Sequence, residues 1–391
     1  MKLKLKNTPE QVELIRALGS KNPLKAREAS EAFAAFLGPV IQQVILQAGT
    51  ANLVFTDAPF NEDDSPSFPL DLYYNEGVGN ITVWSQNLAG GLPTSMVSGV
   101  QELKIATYRL DTAVAWLKKY ARRSRLDIVS KALERMAQEI LVKQERNAWA
   151  VVLKALAEAA TSSTKHVLGS NTVGVFQLHD LNRMMTLNKR LNESFAGGTP
   201  DAAYSRGMTD LFISPEIMEQ VRAFAYQPMN TQGPNGLAAS AANGVALPDN
   251  MREQIYRSAG MQEIYGVNLV ELIELGASSS GGKKYNKLFS SMAATQTGIP
   301  GGGGTVAYAG TNDWDGTASD QILVGVDNSK GAFIRPIATA DSGGSVTSAG
   351  GSFTVLPDDQ WVQRADKVGF YGFLEEGRVC IDARAIVGMA V

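Results

Sequence analysis

Two histidines, His166 and His179, and one cysteine, Cys380, are all the imidazole and thiol chemistry in these 391 residues. A zinc centre asks for three or four ligands at ligand spacing, which two distant histidines and a lone thiol do not offer. His179 lies beside Asp180 in a helical run and reads as a surface residue. Cys380 sits in the apolar run Val379-Cys380-Ile381, as a small buried hydrophobe would, and one cysteine excludes an internal disulfide framework. Thr311-Asn312-Asp313-Trp314-Asp315-Gly316 resembles a calcium loop at three positions. It opens on Thr, however, and has Ile322 where the bidentate glutamate belongs, so it reads as a Trp-Asp turn on a surface loop. The four glycines at 301–304 lack the Lys-Ser/Thr of a phosphate cradle, and no Gly-x-Ser-x-Gly elbow occurs. The expectation is no catalytic site, no cofactor and no metal.

Charge is the more informative chemistry. Residues 28–103 contain no lysine or arginine, but nine acids: Glu28, Glu31, Asp57, Glu62, Asp63, Asp64, Asp71, Glu76 and Glu102. Residues 1–27 carry seven bases against two acids, and residues 104–146 eleven bases against five acids. A basic–acidic–basic order suits a molecule that lies across copies of itself, because complementary patches set register and steer association. The net charge of −3 argues against a nucleic-acid binder driven by bulk electrostatics. No run of 18 apolar residues is present, so no membrane span is expected. Met1-Lys-Leu-Lys-Leu-Lys lacks the apolar region of a secretory signal, which implies synthesis in the cytoplasm.

The elements that would position these charges can be read in order. Helices are predicted over 8–18 and 23–48. The first starts at Thr8-Pro9-Glu10-Gln11 with a cap residue, a proline at the first helical position and a capping-box glutamine. Gly38-Pro39 is expected to break the second, and this leader needs a neighbour to pack against. Residues 50–107 interleave aromatic and β-branched residues with Pro59, Pro66, Pro69 and Pro93. Ile81-Thr82-Val83-Trp84 and the run from Val100 to Tyr108 read as strands of a long two-stranded projection, which must rest on something else.

The strongest periodicity follows. From a start at Ser124, Val129, Leu133, Met136, Ile140, Ala148, Val151, Ala155 and Ala159 recur at spacings of three and four, with a polar skip at Gln144. Arg135–Glu139 and Glu139–Lys143 stand at i,i+4. No Gly or Pro interrupts 125–160, so a spine helix about 54 Å long is predicted. Beyond it the pattern is mixed α/β. A helix is expected over 179–192. Leu211-Phe212-Ile213 is a strand leading into a helix from Ser214-Pro215-Glu216-Ile217 to Phe224. Further strands are predicted over 267–275, 321–326, 331–337, 369–373 and 379–391. Residues 276–320 hold ten Gly, six Ser and five Thr, the composition of a long loop or insertion.

This order of modules resembles the major capsid protein of tailed bacteriophages. The local runs that carry the resemblance are Phe212-Ile213-Ser214-Pro215-Glu216-Ile217-Met218-Glu219, Glu263-Ile264-Tyr265-Gly266-Val267, Phe370-Tyr371-Gly372 and Asp382-Ala383-Arg384-Ala385-Ile386-Val387-Gly388. The third and fourth are similar to that family's C-terminal strands, the second to its turn into a central strand. The resemblance implies an α+β fold with an N-terminal arm (1–49), an extended loop (50–107), a peripheral domain with the spine helix (108–172), an axial domain (173–352) and returning C-terminal strands (353–391). It implies a non-catalytic subunit that self-assembles into hexamers and pentamers of an icosahedral shell around double-stranded DNA. Expected partners are other copies, packaged DNA and separate scaffolding, portal and decoration proteins, in the virion and, during assembly, the host cytoplasm.

In such shells the extended loop lies over a neighbour's peripheral domain. That would set Asp57, Glu62, Asp63, Asp64, Asp71 and Glu76 against Lys118, Lys119, Arg122, Arg123 and Arg125 of the next copy. Some of these shells crosslink through a lysine of the loop, but no lysine precedes Lys104 here, so that route is not expected. An encapsulin-type compartment on the same fold is the alternative. An α/β enzyme is a third reading, for which no acid/base pair offers itself.

Overall fold

The computed structural model describes residues 8–47, 49–61, 66–69, 102–123, 126–159, 166–170, 174–193, 207–223, 253, 263–275, 285, 321–339, 354–358 and 366–391. It is α+β. The chain divides into two compact units: Met1–Phe68 with Leu103–Ala148 and Phe333–Val379, and Pro69–Glu102 with Trp149–Ala332 and Cys380–Val391.

The first unit opens with helices α1 (Pro9–Leu18) and α2 (Pro23–Gln47). Thr8 is extended at the start of α1 but makes no side-chain cap bond, so only the proline half of the predicted start signal operates. Helix α2 runs unbroken through Gly38-Pro39. A proline normally forces its predecessor out of the helical region by clashing with that residue's Cβ; the predecessor here is a glycine, which has none. The leader does not wait for another molecule. Ile15, Leu18, Ala29, Phe33 and Ala34 are buried with Val129, Leu133, Met136 and Ile140 and with Trp116, Val368 and Phe370. Phe370 is the hub, 5.3 Å from the Phe33 ring and stacked 5.4 Å from Trp116.

The sheet beneath them contains β1 (Thr56–Asn61), β4 (Tyr108–Leu117), β10 (Phe333–Thr339), β11 (Thr354–Asp358) and β12 (Lys367–Glu376). Strand β1 runs parallel to β10 in the register Asp57↔Arg335. Strand β12 takes β11 on one side and all ten residues of β4 on the other, from Lys367↔Leu117 to Glu376↔Tyr108. The predicted strand from Val100 to Tyr108 is therefore two pieces. Strand β3 (Glu102–Lys104) pairs with β2 (Ser67–Pro69), and β4 begins only at Tyr108. A turn follows β4 as helix α3 (Lys118–Arg122). The predicted strands over 81–84 and the cap at Ser124 lie outside the described residues.

The spine is helix α4 (Leu126–Ala159), 34 residues, about 51 Å. Gln144, read as a break in its apolar seam, is buried and bonded. The i,i+4 pair formed on its surface is Lys154–Glu158 at 3.2 Å, rather than the pairs expected at Arg135–Glu139 and Glu139–Lys143.

The second unit is a six-stranded sheet in the order β5 (Val167–Gly169), β14 (Ile386–Ala390), β9 (Ile322–Val326), β6 (Asp210–Ile213), β8 (Val267–Glu271), β7 (Glu263–Ile264). Every residue of β9 and β14 is buried, as expected of near-continuous apolar strands covered on both faces. At Gly388 a Cβ would stand 2.7 Å from Leu156 Cδ2, so glycine lets the strand meet the helix. Helices α5 (Leu178–Glu193) and α6 (Pro215–Ala223) lay Leu181, Met184, Ile217 and Val221 on this sheet. Strand β8 stops at Glu271, four residues before the predicted end, because Leu272 and Leu275 close a turn instead. The β7–β8 hairpin turns on Tyr265 (φ 53°) and Gly266 (φ 80°), both left-handed as a two-residue hairpin demands. It leads from the edge strand β7 into β8, which is paired on both sides, with β6 and with β7. The predicted strand over 379–391 is interrupted after β13 (Val379–Cys380): Asp382 caps a short 3-10 turn by accepting from the Arg384 N–H at 2.9 Å, and β14 follows.

Candidate subunit-contact surface

The residues expected to make contacts between copies separate into three groups. Glu62, Asp63, Asp64, Asp71, Glu76 and Arg125 lie outside the described residues. Asp57 and Lys118 are occupied within their own unit. Lys119, Arg122 and Arg123 stand on the surface.

Asp57 is an internal ion-pair partner. Its two carboxylate oxygens accept from Arg335 Nε at 2.6 Å and Nη2 at 2.7 Å, and Asn52 accepts from Nη1 at 3.1 Å. The Arg335 side chain is 4% exposed, so this bidentate pair neutralises a guanidinium that the β1–β10 pairing has taken out of water. Lys118 is 9% exposed, and its backbone N–H donates to the Asp366 carbonyl at 2.9 Å, so it anchors the end of β4.

The remaining bases form a small cationic rim on α3. Arg122 Nε donates to the Gly19 carbonyl at 2.7 Å, and its Nη2 is 3.5 Å from Asp366. A Cβ on Gly19 would come within 2.8 Å of the Arg122 backbone nitrogen, so a glycine is what admits α3 to the α1 terminus. That approach places the α1–α2 turn, with exposed Lys21, beside α3. Lys119 Nζ is 5.2 Å from the Tyr120 ring, and Arg123 is exposed.

On the outer face of β4 and β12 lies a group with no counterpart in the sequence reading. The Arg109 guanidinium lies 4.0 Å over the Phe373 ring; its Nε donates to Asp111 at 2.8 Å and its Nη2 to the Tyr371 hydroxyl at 2.9 Å. The Tyr371 hydroxyl donates to Asp111, whose acidity is strengthened first by that bond and then by Arg109, while the same bond raises the tyrosine.

A second polar group, also missed in the sequence, ties β4, β12 and the turn before β1 to helix α4. Glu376 is fully buried and accepts from Tyr108 Oη at 2.8 Å, from Gln144 Nε2 at 3.0 Å and more distantly from Arg378, whose guanidinium lies 5.0 Å from the Phe55 ring. Burial first, then the Glu376 charge, pushes the Tyr108 hydroxyl up to about 12. Glu145 accepts from the Thr50 hydroxyl at 2.8 Å and the Ala51 N–H at 3.1 Å, fixing the turn at Ala51–Leu53 that leads into β1. These bonds hold together elements far apart in the chain and expose no reactive atom.

The nucleophile and base candidates behave accordingly. Burial, then the Asp382 charge, pushes the Cys380 thiol up to about 12, far from the thiolate a nucleophile needs. Burial lowers His166, whose Nδ1–H donates to the Ile386 carbonyl at 2.9 Å, while His179 is exposed on α5. Among the described residues no three metal-ligating side chains converge, and no helix is long and apolar enough to cross a membrane.

No protein-family model matches the chain, and no curated protein matches it. Among solved structures it is similar to the capsid of the cyanophage P-SCSP1u, at 12% identity over 86% of this chain and 85% of that one, with a TM-score of 0.46. It is similar to the capsid of an empty GTA particle at 11% identity, over 88% of this chain and 89% of that one, with a TM-score of 0.47. It is also similar to a virus-like particle from Pyrococcus furiosus at 11% identity, over 90% of this chain and 97% of that one, with a TM-score of 0.40.

Proposed function

We propose that the chain is a structural shell subunit, the major capsid protein of a tailed-phage type of particle. Copies would assemble into the hexamers and pentamers of an icosahedral shell around double-stranded DNA. The observation that carries this reading is the order of the elements: a helical leader packed on a 34-residue spine, an acidic segment over residues 62–103 without lysine or arginine, and two sheets. A segment of that length and charge, in a chain where β4 then leads into the basic helix α3, makes sense where copies overlap. The polar groups support the same role, since each is engaged in holding elements together rather than poised for proton transfer. In this reading residues 1–49 are the arm, 50–107 the extended loop, 108–172 the peripheral domain, 173–352 the axial domain and 353–391 the returning strands. Packaged DNA and separate scaffolding, portal and decoration proteins would be the other partners, in the virion and earlier in the host cytoplasm.

Negative-stain electron microscopy with light scattering on the purified chain, at low and moderate salt, tests it. Rings, sheets or closed shells of megadalton mass are expected. A monodisperse monomer under every condition, with and without a co-expressed scaffold, would overturn it.

A further inference from the structure

The side of α4 turned away from the core carries a row of bases that nothing described in the chain answers. Over residues 128–146 the helix buries Val129, Leu133, Met136 and Ile140 in the first unit and leaves Lys131, Arg135, Glu139, Lys143 and Arg146 exposed. The four bases stand at i, i+4, i+12 and i+15, so they share one face of the helix over about 22 Å. Helix α4 as a whole is neutral, with five bases and five acids, but its charges are sorted by side. Glu145 is drawn off the ridge to the Thr50 hydroxyl and the Ala51 N–H, and Glu134 is half-buried. Glu139 is the one acid left there, and among the described residues no carboxylate pairs with any of the four bases.

What the ridge lacks selects its partner. Val142 is its only exposed apolar side chain, so it has none of the apolar anchors on which a contact between protein copies is built. A basic face that works by charge alone suits the phosphate backbone of a nucleic acid. Over the same length a duplex presents about 13 phosphates, against which one glutamate is a small repulsion. We propose that this ridge of α4 is the surface on which packaged double-stranded DNA rests, through phosphate contacts without sequence preference, and that it faces the interior of the shell. This rests on the shell-subunit reading and names the face that meets the cargo. Four contacts are a light hold, repeated at every copy, and do not require the bulk attraction that a net charge of −3 denies the chain.

Titration of the free subunit with a short duplex of random sequence, over a series of salt concentrations, is the first test. The logarithm of the affinity should fall against the logarithm of salt with a slope of about −3.6, the value for four phosphates. Lys143→Gln with Arg146→Gln should bring that slope to about −1.8. Lys189→Gln with Arg190→Gln, an equal loss of exposed charge on α5, should leave it unchanged. Both double variants should keep the wild-type unfolding midpoint, being surface substitutions. Lysine acetylation read by mass spectrometry then tests the direction of the face: Lys131 and Lys143 should react several-fold more slowly in DNA-filled particles than in particles assembled without DNA. No duplex binding, a slope that both double variants lower alike, or equal acetylation in filled and empty particles overturns the inference and leaves the shell reading intact. So does a zero-length carboxylate–lysine crosslink from Lys131 or Lys143 to another copy, which would make the ridge a contact between subunits. Absence of particles altogether removes the shell reading, and the packaged duplex with it.

Discussion

Asp57 shows how a residue's charge can mislead when its partner is distant. In the sequence it belongs to an acidic run and looks like part of a contact surface. In the structure it faces Arg335, 278 residues away, and nothing local announces that pairing. Breaking a buried pair by removing one partner strands the other's charge, and the stranded arginine here keeps only 4% of its side-chain exposure. Asp57→Asn is therefore expected to destabilise the subunit by about 3 kcal/mol, the low end for such pairs because the carboxylate itself keeps 27% exposure. A urea midpoint equal to wild type would refute that assignment. Tyr108 gives a prediction in pH. Its hydroxyl titrates near 10 in the unfolded chain and is pushed up to about 12 in the fold. A raised folded value means that the stability it contributes is fully present below pH 10 and is lost as pH rises from 10 towards 12. Tyr108→Phe should flatten the alkaline fall of the unfolding midpoint over that window; an unchanged slope counts against the buried Tyr108–Glu376 bond.

At the scale of elements, what could be read in the sequence was what local periodicity encodes. Helix α4 was legible because its apolar residues recur at three and four over nine turns without a glycine or proline. Strands β9 and β6 were legible as short apolar runs bounded by turn residues. What escaped was set by partners. Strand β4 alternates properly, with Tyr108, Leu110, Thr112, Val114 and Trp116 on the inner face, but its outer face contains Ala113 and Ala115, small residues that suit a helix as well. Its identity as a strand comes from β12, more than 250 residues on. Gln144 looked like a flaw in a stripe because its acceptor, Glu376, is equally remote. Gly38-Pro39 looked like a helix end because proline usually is one. Of the candidate contact surface, the sign of the charges was legible, and which of them were already paired was not.

At the scale of the whole molecule, the division between internal and external charge makes a contrast that assembly can report. If the acids between β1 and β4 serve contacts between copies, reversing them should spare the subunit and spoil the particle. Asp63 and Asp64 are the sharpest choice, being adjacent and far in sequence from any base. Exposed pairs are worth only about 0–1 kcal/mol each, so one reversal in one copy is a small perturbation. In a shell the same substitution recurs at every contact, and a like-charge approach to Lys119, Arg122 and Arg123 works against the correct register each time. Asp63→Lys with Asp64→Lys is thus expected to leave the unfolding midpoint within about 0.5 kcal/mol of wild type while reducing particle yield, most strongly at low salt, where screening is least. Asp57→Asn should behave in the opposite way, failing first in the subunit. Normal particles from the double reversal at low salt would mean that the acidic segment does not meet the α3 bases, and the contact would then have to be sought on another face.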